Sequence, residues 1–211
     1  MPDFSRELRL FGQGLKVVAG VDEAGRGPLA GPVVAAAVAL PAELSGEEEW
    51  LGALDDSKRL SAAQREAAFK LIQQHALAIS VVEESPAEID RIGIGKAVIR
   101  AMMRAVEGLQ AVPEHLLLDY VPIKECPFSY DVLVKGDANC YSIAAASIIA
   151  KVTRDRTMER ADSLYPGYGF ARHKGYGTAL HREQLEKLGP CPLHRRSFSP
   201  LRQGALMLGD D

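Results

Sequence analysis

One soluble globular domain, with at most a small appendage, fits a chain of 211 residues that is 47% hydrophobic and 25% charged and has a formal net charge of −3. The sequence holds no apolar run of the ~18–20 residues that a membrane span needs, its charged N-terminal stretch does not resemble a signal peptide, and its three cysteines fit neither a disulfide framework nor a zinc site. We therefore expect a cytoplasmic protein with reduced thiols and no membrane partner.

The first half of the chain predicts three strands and one helix. An apolar strand over 16–22 is followed by a loop rich in glycine and proline and by a second strand over 33–40. Ser61 and Gln64 match a capping box, a pair that satisfies free backbone groups at a helix N-terminus, and predict a helix that runs to about residue 74. A third strand follows over 76–82.

The second half alternates helices with strands. Helical spacing over 95–109 is followed by short strands over 116–119 and 129–134. A long helix over 142–163 is apolar in its first half and charged in its second, so it should enter the core and leave it. After a glycine-rich loop, a short amphipathic helix is predicted over 180–188.

These elements predict an α/β fold, a mixed five-stranded sheet flanked by helices. The pattern does not give the order of the strands. Because no flexible linker is evident, we expect a main domain over 1–163 and a small helical C-terminal part over 164–211 that is docked on it.

The charges are unevenly distributed. Residues 151–200 contain ten Lys and Arg against five Asp and Glu, whereas residues 1–150 contain 14 against 21. A basic C-terminal quarter could bind phosphates while the acidic remainder binds cations, although chance clustering on solvated helix faces explains the asymmetry equally well.

Four acidic residues lie at the ends of predicted elements. Asp22 and Glu23 end the first strand, Asp119 ends the fourth, and Asp137 lies between the fifth strand and the long helix. Adjacent strand residues point to opposite faces, so a turn at Glu23 is needed for the first two to share a site. Clustered carboxylates either raise their pKa values or bind a metal, and oxygen ligands suit Mg²⁺ or Mn²⁺. Taken singly, each could be a turn former, a strand terminator or a helix cap.

Asp155 competes with Asp137 for the fourth position. If the chain between them were helical, their separation of 18 residues would span roughly 27 Å, far more than the ~4 Å between ions in a two-metal site, so only one can belong. Lys151 and Glu159 lie one helical turn to either side of Asp155, which favours a surface ion pair over a role beside the site.

Several ordered motifs resemble bacterial ribonuclease HII, a type 2 ribonuclease H. They are GVDEAGRGPLAGP (20–32), DSKRL (56–60), KGD (135–137), SIAAASIIAKVTRD (142–155), YP (165–166), HKGYGT (173–178) and HRRSF (194–198). Long motifs in a fixed order over most of the chain are far more specific than a lone glycine pattern. The chain departs from the family at Tyr120, where glycine is usual, and at Cys140, where serine is usual.

The resemblance implies a ribonuclease H-like catalytic domain over 1–163, with a C-terminal subdomain that contributes to substrate binding. It implies that Asp22, Glu23, Asp119 and Asp137 are catalytic and bind divalent metal, Mn²⁺ or Mg²⁺. The implied activity is that of an endoribonuclease that hydrolyses the RNA strand of RNA/DNA hybrids and incises duplex DNA 5′ to embedded ribonucleotides. Two-metal catalysis would leave 5′-phosphate and 3′-hydroxyl ends. We expect a monomer.

A glycine-rich loop predicts how RNA is distinguished from DNA. Gly25 and Gly27 lack Cβ atoms, so their backbone can approach a sugar 2′-hydroxyl closely, and the guanidinium of Arg26 can hold a phosphate. A plain turn with a solvated arginine is the alternative.

Three more residues are predicted to bind substrate. Ser57 and Lys58 precede a helix N-terminus, where a phosphate is stabilised, although a plain helix lead-in is nearly as good an interpretation. Tyr176 offers a flat ring in a basic loop, and the resemblance implies that it recognises the nucleotide after the ribonucleotide; ordinary packing is the alternative. Arg195 and Arg196 could bind the duplex backbone, but a solvated pair is the preferred interpretation, and no histidine is assigned to catalysis.

Two other functions stay open at this point. Asp22 or Glu23 with Asp119 could form a metal-free acid and base pair of a glycosidase-like hydrolase, or the chain could bind hybrids without cleaving them. EDTA would abolish a metal-dependent activity and spare a metal-free one. Clustered negative charge would repel the phosphates of a nucleic acid, which disfavours a protein that only binds hybrids.

Overall fold

The computed structural model describes residues 2–124 and 126–204. Its strands are β1 (Val18–Ala24), β2 (Val33–Ala39), β3 (Ala78–Glu84), β4 (His115–Asp119) and β5 (Ser129–Leu133). Its helices are α1 (Ser5–Gly12), α2 (Ala62–His75), α3 (Pro86–Ile92), α4 (Ile94–Glu107), α5 (Gly136–Asn139), α6 (Tyr141–Leu164), α7 (Phe170–His173), α8 (Ala179–Leu188) and α9 (Leu201–Gly204), with a 3-10 turn over Glu49–Ala53. Within these residues, none of the helices combines the length and apolar character of a membrane span.

The strands form one mixed sheet in the order β3-β2-β1-β4-β5, which confirms the predicted fold class. The β1–β2 and β2–β3 pairs are antiparallel, whereas β1–β4 and β4–β5 are parallel. The parallel strands β1 and β4 lie at the centre, and both end at the same edge of the sheet. A connection between parallel strands needs a crossover segment. After the antiparallel strands β1, β2 and β3, helix α4 is part of the crossover that leads to β4.

Helices cover both faces of the sheet. On one face, Ala35, Ala37 and Ala39 of β2 pack with α4 in one buried cluster. On the other, Val34 and Val38 pack with α6 and α2. Side chains alternate between the faces of a strand, and β2 is therefore apolar at every position because both its faces are buried.

The contact between α6 and β1 depends on a glycine. A Cβ atom at Gly20 would lie 2.1 Å from the Ser142 carbonyl carbon and 2.4 Å from the Ile143 nitrogen. Both distances are shorter than real Cβ atoms show. The backbone of α6 therefore lies directly on β1. This close approach brings the N-terminal half of α6 beneath the end of β1, where Asp22 lies.

The predicted helices and strands all occur, with ends that differ by a few residues. Three elements of the N-terminal half were not predicted: α1, the 3-10 turn and α3. A signal for α3 was present in Ser85, whose hydroxyl accepts the Glu88 amide, followed by Pro86 at the first helical position. No cap marks α1, whose Phe4 N-cap makes no side-chain bond; burial of Leu10 holds it against the core instead.

The last part of the chain packs against the β1–β2 loop and the end of α6. Tyr168, Phe170 and Cys191 share a buried cluster with Ala30 and Met158. The main-chain amides of Gly31 and Arg195 donate to the carbonyls of Leu193 and Leu29, both at 2.8 Å. The glycine-rich loop is therefore held from the C-terminal side; the division of the chain at residue 163 stays a prediction.

Candidate active site

Three carboxylates meet at the edge of the sheet where β1 and β4 end. Asp22, Asp119 and Asp137 each offer one oxygen, and these oxygens all lie within 4.8 Å of one another. Asp22 and Asp137 are buried, with 4% of each residue exposed, and Asp119 is partly buried. Hard oxygen donors at this spacing suit a divalent cation.

Strand register explains the proximity of the first two. Val21 of β1 pairs with Leu118 of β4 in parallel register, so Asp22 and Asp119 are the next neighbours on adjacent strands. The third carboxylate comes from the turn after β5. There Lys135 adopts a left-handed conformation (φ 56°), and the Gly136 amide donates to an Asp119 oxygen at 2.7 Å.

Glycine is favoured at position 136, where space for a side chain is small. A Cβ atom there would lie 2.5 Å from the Cδ1 atom of Ile143 and 3.4 Å from an Asp119 oxygen. A side chain there would require the end of the Ile143 side chain to move, whereas glycine allows α5 to start against the end of β4 without that shift. The KGD motif therefore works as a unit, in which Gly136 positions Asp119 while Asp137 joins it.

The predicted turn at Glu23 is wrong. Strand β1 continues to Ala24, and Glu23 pairs with Ala35 of β2; the chain turns at Gly25, whose φ is 96°. Glu23 still lines the cleft, beyond the last pair of the β1–β4 ladder, Val21 with Leu118. Its Oε1 accepts a bond from Arg26 at 3.3 Å, and it is not among the three mutually close carboxylates.

Burial and crowding raise the pKa values of Asp22, Glu23 and Asp119. Burial, followed by the charges of Glu23 and Asp119, raises the pKa of Asp22 well above its usual value. Burial likewise raises the pKa of Asp119, with a further rise from Asp137, and that of Glu23, where the Arg26 guanidinium opposes it. The Lys58 ammonium lies 3.3 Å from an Asp137 oxygen. Negative charge that is desolvated and incompletely matched fits the binding of a divalent cation.

Nine of the ten predicted site residues line one cleft of about 470 Å³. They are Asp22, Glu23, Gly25, Arg26, Gly27, Ser57, Lys58, Asp119 and Tyr176. The tenth, Asp137, lines an adjoining cleft of about 560 Å³ that shares Lys58 and Asp119 with the first. None of the histidines among the described residues lines either cleft.

Ser57 and Lys58 differ in what they present. The Lys58 side chain is 76% exposed beside the carboxylates. Ser57 is buried, and its hydroxyl lies 2.9 Å from that of Ser147 on α6. Lys58 can therefore reach a ligand directly, whereas Ser57 links its loop to α6.

Four residues that line the main cleft were not predicted as site residues: Ala24, Arg65, Ser147 and Lys151. A signal existed for the last two, because residues four apart share a face of a helix. Lys151 forms the expected ion pair with Asp155 at 2.7 Å, and both side chains are mostly buried rather than fully solvated. Asp155 is therefore the partner of a cleft-lining cation.

The expectation that Arg195 is solvated is wrong. Arg195 is fully buried and donates to four backbone carbonyls of the glycine-rich loop: Gly25 at 2.6 Å, Arg26 at 2.9 Å, Gly31 at 3.0 Å and Pro32 at 3.1 Å. The carbonyl dipoles replace the water that a buried cation loses. No local signal could have shown this, since 170 residues separate Arg195 from Gly25. Its neighbour, Arg196, is exposed as expected.

Arg154 supports the same loop from α6. It is buried, and it donates to the carbonyls of Pro32 at 3.0 Å and Ala30 at 3.2 Å. A Cβ atom at Gly25 would lie 2.1 Å from its Nε atom, so glycine is required there for close approach as well as for the positive φ. Its guanidinium also lies 5.9 Å from the centre of the Tyr176 ring.

A mixed sheet with acidic residues at the ends of two adjacent parallel strands, beside a rigidly held glycine-rich loop, defines a nuclease of the ribonuclease H-like class. The fold is similar to that of ribonuclease H2 from Pyrococcus horikoshii, with a TM-score of 0.78 at 30% identity over 89% of this chain and 96% of that one.

The sequence comparisons give the family. A family model for ribonuclease HII matches residues 19–200. Ribonuclease HII of Geobacillus kaustophilus is 53% identical over 93% of this chain and 74% of its own length, and that of Geobacter sulfurreducens is 51% identical over 93% and 88%. The chain therefore belongs to the ribonuclease HII family, and it is a hydrolase, an endoribonuclease that acts on RNA/DNA hybrids.

Proposed function

We propose that this endoribonuclease also incises duplex DNA on the 5′ side of an embedded ribonucleotide, leaving a 5′-phosphate and a 3′-hydroxyl. The observation that carries the proposal is the cluster of Asp22, Asp119 and Asp137 at the mouth of a cleft whose other wall is the glycine-rich loop. The carboxylates that would support phosphodiester hydrolysis thus lie beside the backbone that would recognise the sugar.

In this proposal, Asp22, Glu23, Asp119 and Asp137 hold divalent cations, Mg²⁺ or Mn²⁺. Divalent ions held there would activate water for in-line attack and stabilise the departing 3′-oxygen. The chain's own part is to fix the donors: the Gly136 amide orients Asp119, and α6 shields Asp22 from solvent. Lys58 adds a positive charge for the phosphate of the cleaved strand.

Discrimination between RNA and DNA falls to the glycine-rich loop. Arg195 and Arg154 hold its carbonyls, which fixes the peptide planes of Gly25, Arg26 and Gly27 before substrate arrives. A prepositioned backbone can bond a 2′-hydroxyl without ordering cost, and deoxyribose lacks that partner.

Tyr176 is proposed to contact the nucleotide that follows the ribonucleotide. Tyr176 is 45% exposed at the cleft, and its main-chain carbonyl lies 3.0 Å from the Nδ1 atom of the buried His181. The backbone is thus anchored while the ring is free to pack against a sugar.

Neither a metal-free hydrolase nor a non-cleaving binder fits the whole set of observations. Family membership extends through all four carboxylates, and the raised pKa values of Asp22, Glu23 and Asp119 describe a site that favours a cation. We also propose that a single chain suffices, because both clefts are built from one chain of 22.8 kDa, and that it works in the cytoplasm, where its free cysteines stay reduced.

The test uses a labelled DNA duplex that carries one ribonucleotide, with an all-DNA duplex as substrate control. We expect incision on the 5′ side of the ribonucleotide with Mg²⁺ or Mn²⁺, none with EDTA, and a loss of at least about 100-fold in Asp137→Asn. Asp131→Asn is the matched control. Asp131 lies on the edge strand β5, forms an ion pair with Arg9 of α1, and lines neither of the two clefts. Cleavage of RNA/DNA hybrid without incision at the single ribonucleotide would contradict the proposal, and activity in EDTA would contradict the metal site.

A further inference from the structure

Tyr120 has a backbone conformation that disfavours a side chain. It follows Asp119 directly, and its φ is 56°, in the left-handed region. Its amide donates to the Leu133 carbonyl at 3.0 Å, which ties this conformation to the end of the β4–β5 pair. A residue with a Cβ atom is disfavoured there relative to glycine, so the fold alone gives no reason for a tyrosine.

Burial does not account for the ring either. Tyr120 is 67% exposed, among the more exposed large side chains of the described residues. A ring in water contributes little to the stability of the core. A strained backbone position that carries an exposed aromatic residue is more readily explained by what the ring contacts outside the chain.

The position of the ring shows what that contact is. Tyr120 lines the adjoining cleft of about 560 Å³ together with three basic and three acidic residues: Lys58, Arg59, Lys135, Asp56, Asp119 and Asp137. The side chains of Lys58 and Arg59 are 76% and 60% exposed, and Lys135 is exposed as well. Aromatic rings among basic side chains suit nucleotides, because the ring packs on a sugar or base while the cations bind phosphates.

We propose that Tyr120 is a second aromatic substrate contact, which packs on a nucleotide of the cleaved strand in the cleft that Lys58, Arg59 and Lys135 line. The inference rests on the proposed function, since it extends the substrate path from the cleft of Tyr176 across the carboxylates into the adjoining cleft. The two clefts share Lys58 and Asp119, so one continuous strand can pass through both.

The experiment compares three variants of the full chain. Tyr120→Gly and Tyr120→Asn remove the ring, and both residues tolerate a positive φ, so neither should fold less well. Tyr120→Phe keeps the ring and is the matched control. Steady-state cleavage of the duplex with one ribonucleotide gives KM and kcat, and thermal unfolding is recorded for each variant.

We expect KM to rise about 5- to 10-fold in the glycine and asparagine variants, with kcat within about threefold, an unfolding temperature no lower than that of the parent, and parental KM in Tyr120→Phe. An unchanged KM in both ringless variants would overturn the inference. A second result would also overturn the inference: a lower kcat and a shifted metal concentration for half-maximal activity, with KM unchanged. Tyr120 would then act through Asp119.

The proposed function can fail separately. If the parent chain cuts RNA/DNA hybrids but not this duplex, the proposed function is contradicted, and the variants are compared on the hybrid, where the same KM criterion applies.

Discussion

At the scale of single residues, the most consequential side chain outside the carboxylates is Arg195. Its guanidinium bonds four carbonyls of one loop, a geometry that needs several donors in a fixed plane. A lysine ammonium at the same place could reach one or two of them and would leave the rest without partners in a desolvated space.

We therefore expect Arg195→Lys to lower the free energy of unfolding by about 2–4 kcal/mol and to weaken selection for a ribonucleotide. Urea unfolding and the ratio of cleavage rates on ribonucleotide-containing and all-DNA duplexes measure the two effects. Arg196→Lys, at the exposed neighbour, should change stability by less than about 0.5 kcal/mol. Equal urea midpoints for the two variants would show that the loop does not depend on the buried guanidinium.

Tyr120 and Cys140 show how a departure from the family pattern is accommodated. The left-handed backbone at Tyr120 explains why glycine is favourable at that position. The Cys140 thiol lies 3.1 Å from Glu7 Oε1, which also accepts the Ser142 amide at 2.8 Å. The thiol thus makes the bond that a serine hydroxyl would offer, and α1 is joined to the start of α6.

At the scale of elements, the site depends on how closely α6 lies on β1. Gly20 is the contact point, because its missing side chain allows the α6 backbone to touch the strand. Moving α6 outward would displace Ser147 and Lys151 from the cleft.

Gly20→Ala should lower the free energy of unfolding by about 3 kcal/mol or more, because a methyl group there overlaps backbone that cannot rotate away. Chemical denaturation measures it. Gly95→Ala is the control: nothing lies within 4 Å of a Cβ atom there, and alanine in helix α4 should leave stability unchanged or slightly raised. If both alanine variants unfold alike, then α6 can adjust its position on β1, and the close contact is not a constraint.

At the scale of the whole molecule, the C-terminal part holds a buried histidine network behind the site. The Nε2 atoms of His181 and His194 lie 3.1 Å apart, and His194 Nδ1 accepts the Cys191 amide at 3.0 Å. With His194 neutral, its Nε2–H donates to His181, and His181 Nδ1–H donates to the Tyr176 carbonyl. The network thus links the C-terminal segment to the loop that carries Tyr176.

Protonation of this network opposes folding. Burial, followed by repulsion from His181, lowers the pKa of His194 to about 4, below the usual 6.5. The unfolded chain therefore takes up a proton that the folded chain does not, and stability falls as the pH drops from about 6.5 towards 4. We expect this residue to account for a loss of about 2 kcal/mol over that interval, measured by urea unfolding at a series of pH values.

His194→Gln should flatten this part of the profile, whatever its effect on stability at pH 7. His75→Gln, at an exposed histidine, is the control and should keep the parental slope. The raised pKa values of Asp22, Glu23 and Asp119 act in the opposite direction, since protonation relieves their crowding, but they are common to all three proteins. Parallel profiles for the parent and His194→Gln would contradict the assignment.

The sequence by itself determined the five strands, the longer helices α2, α4, α6 and α8, and the positions of the acidic residues. Alternating and helical periodicity, the Ser61–Gln64 cap and the glycine turns act over a few residues, so they can be recognised without the fold. Spacing along the chain also separated Asp155 from Asp137, and the structure pairs Asp155 with Lys151 as expected.

Tertiary structure decided the rest. The order of the strands, the parallel register that sets Asp22 beside Asp119, the continuation of β1 through Glu23 and the burial of Arg195 all depend on contacts between distant segments. Local preference cannot show which cation will be surrounded by carbonyl oxygens or which strand will end beside another. Those outcomes are set by packing across the whole chain, where burial, close approach and hydrogen bonding must be satisfied together.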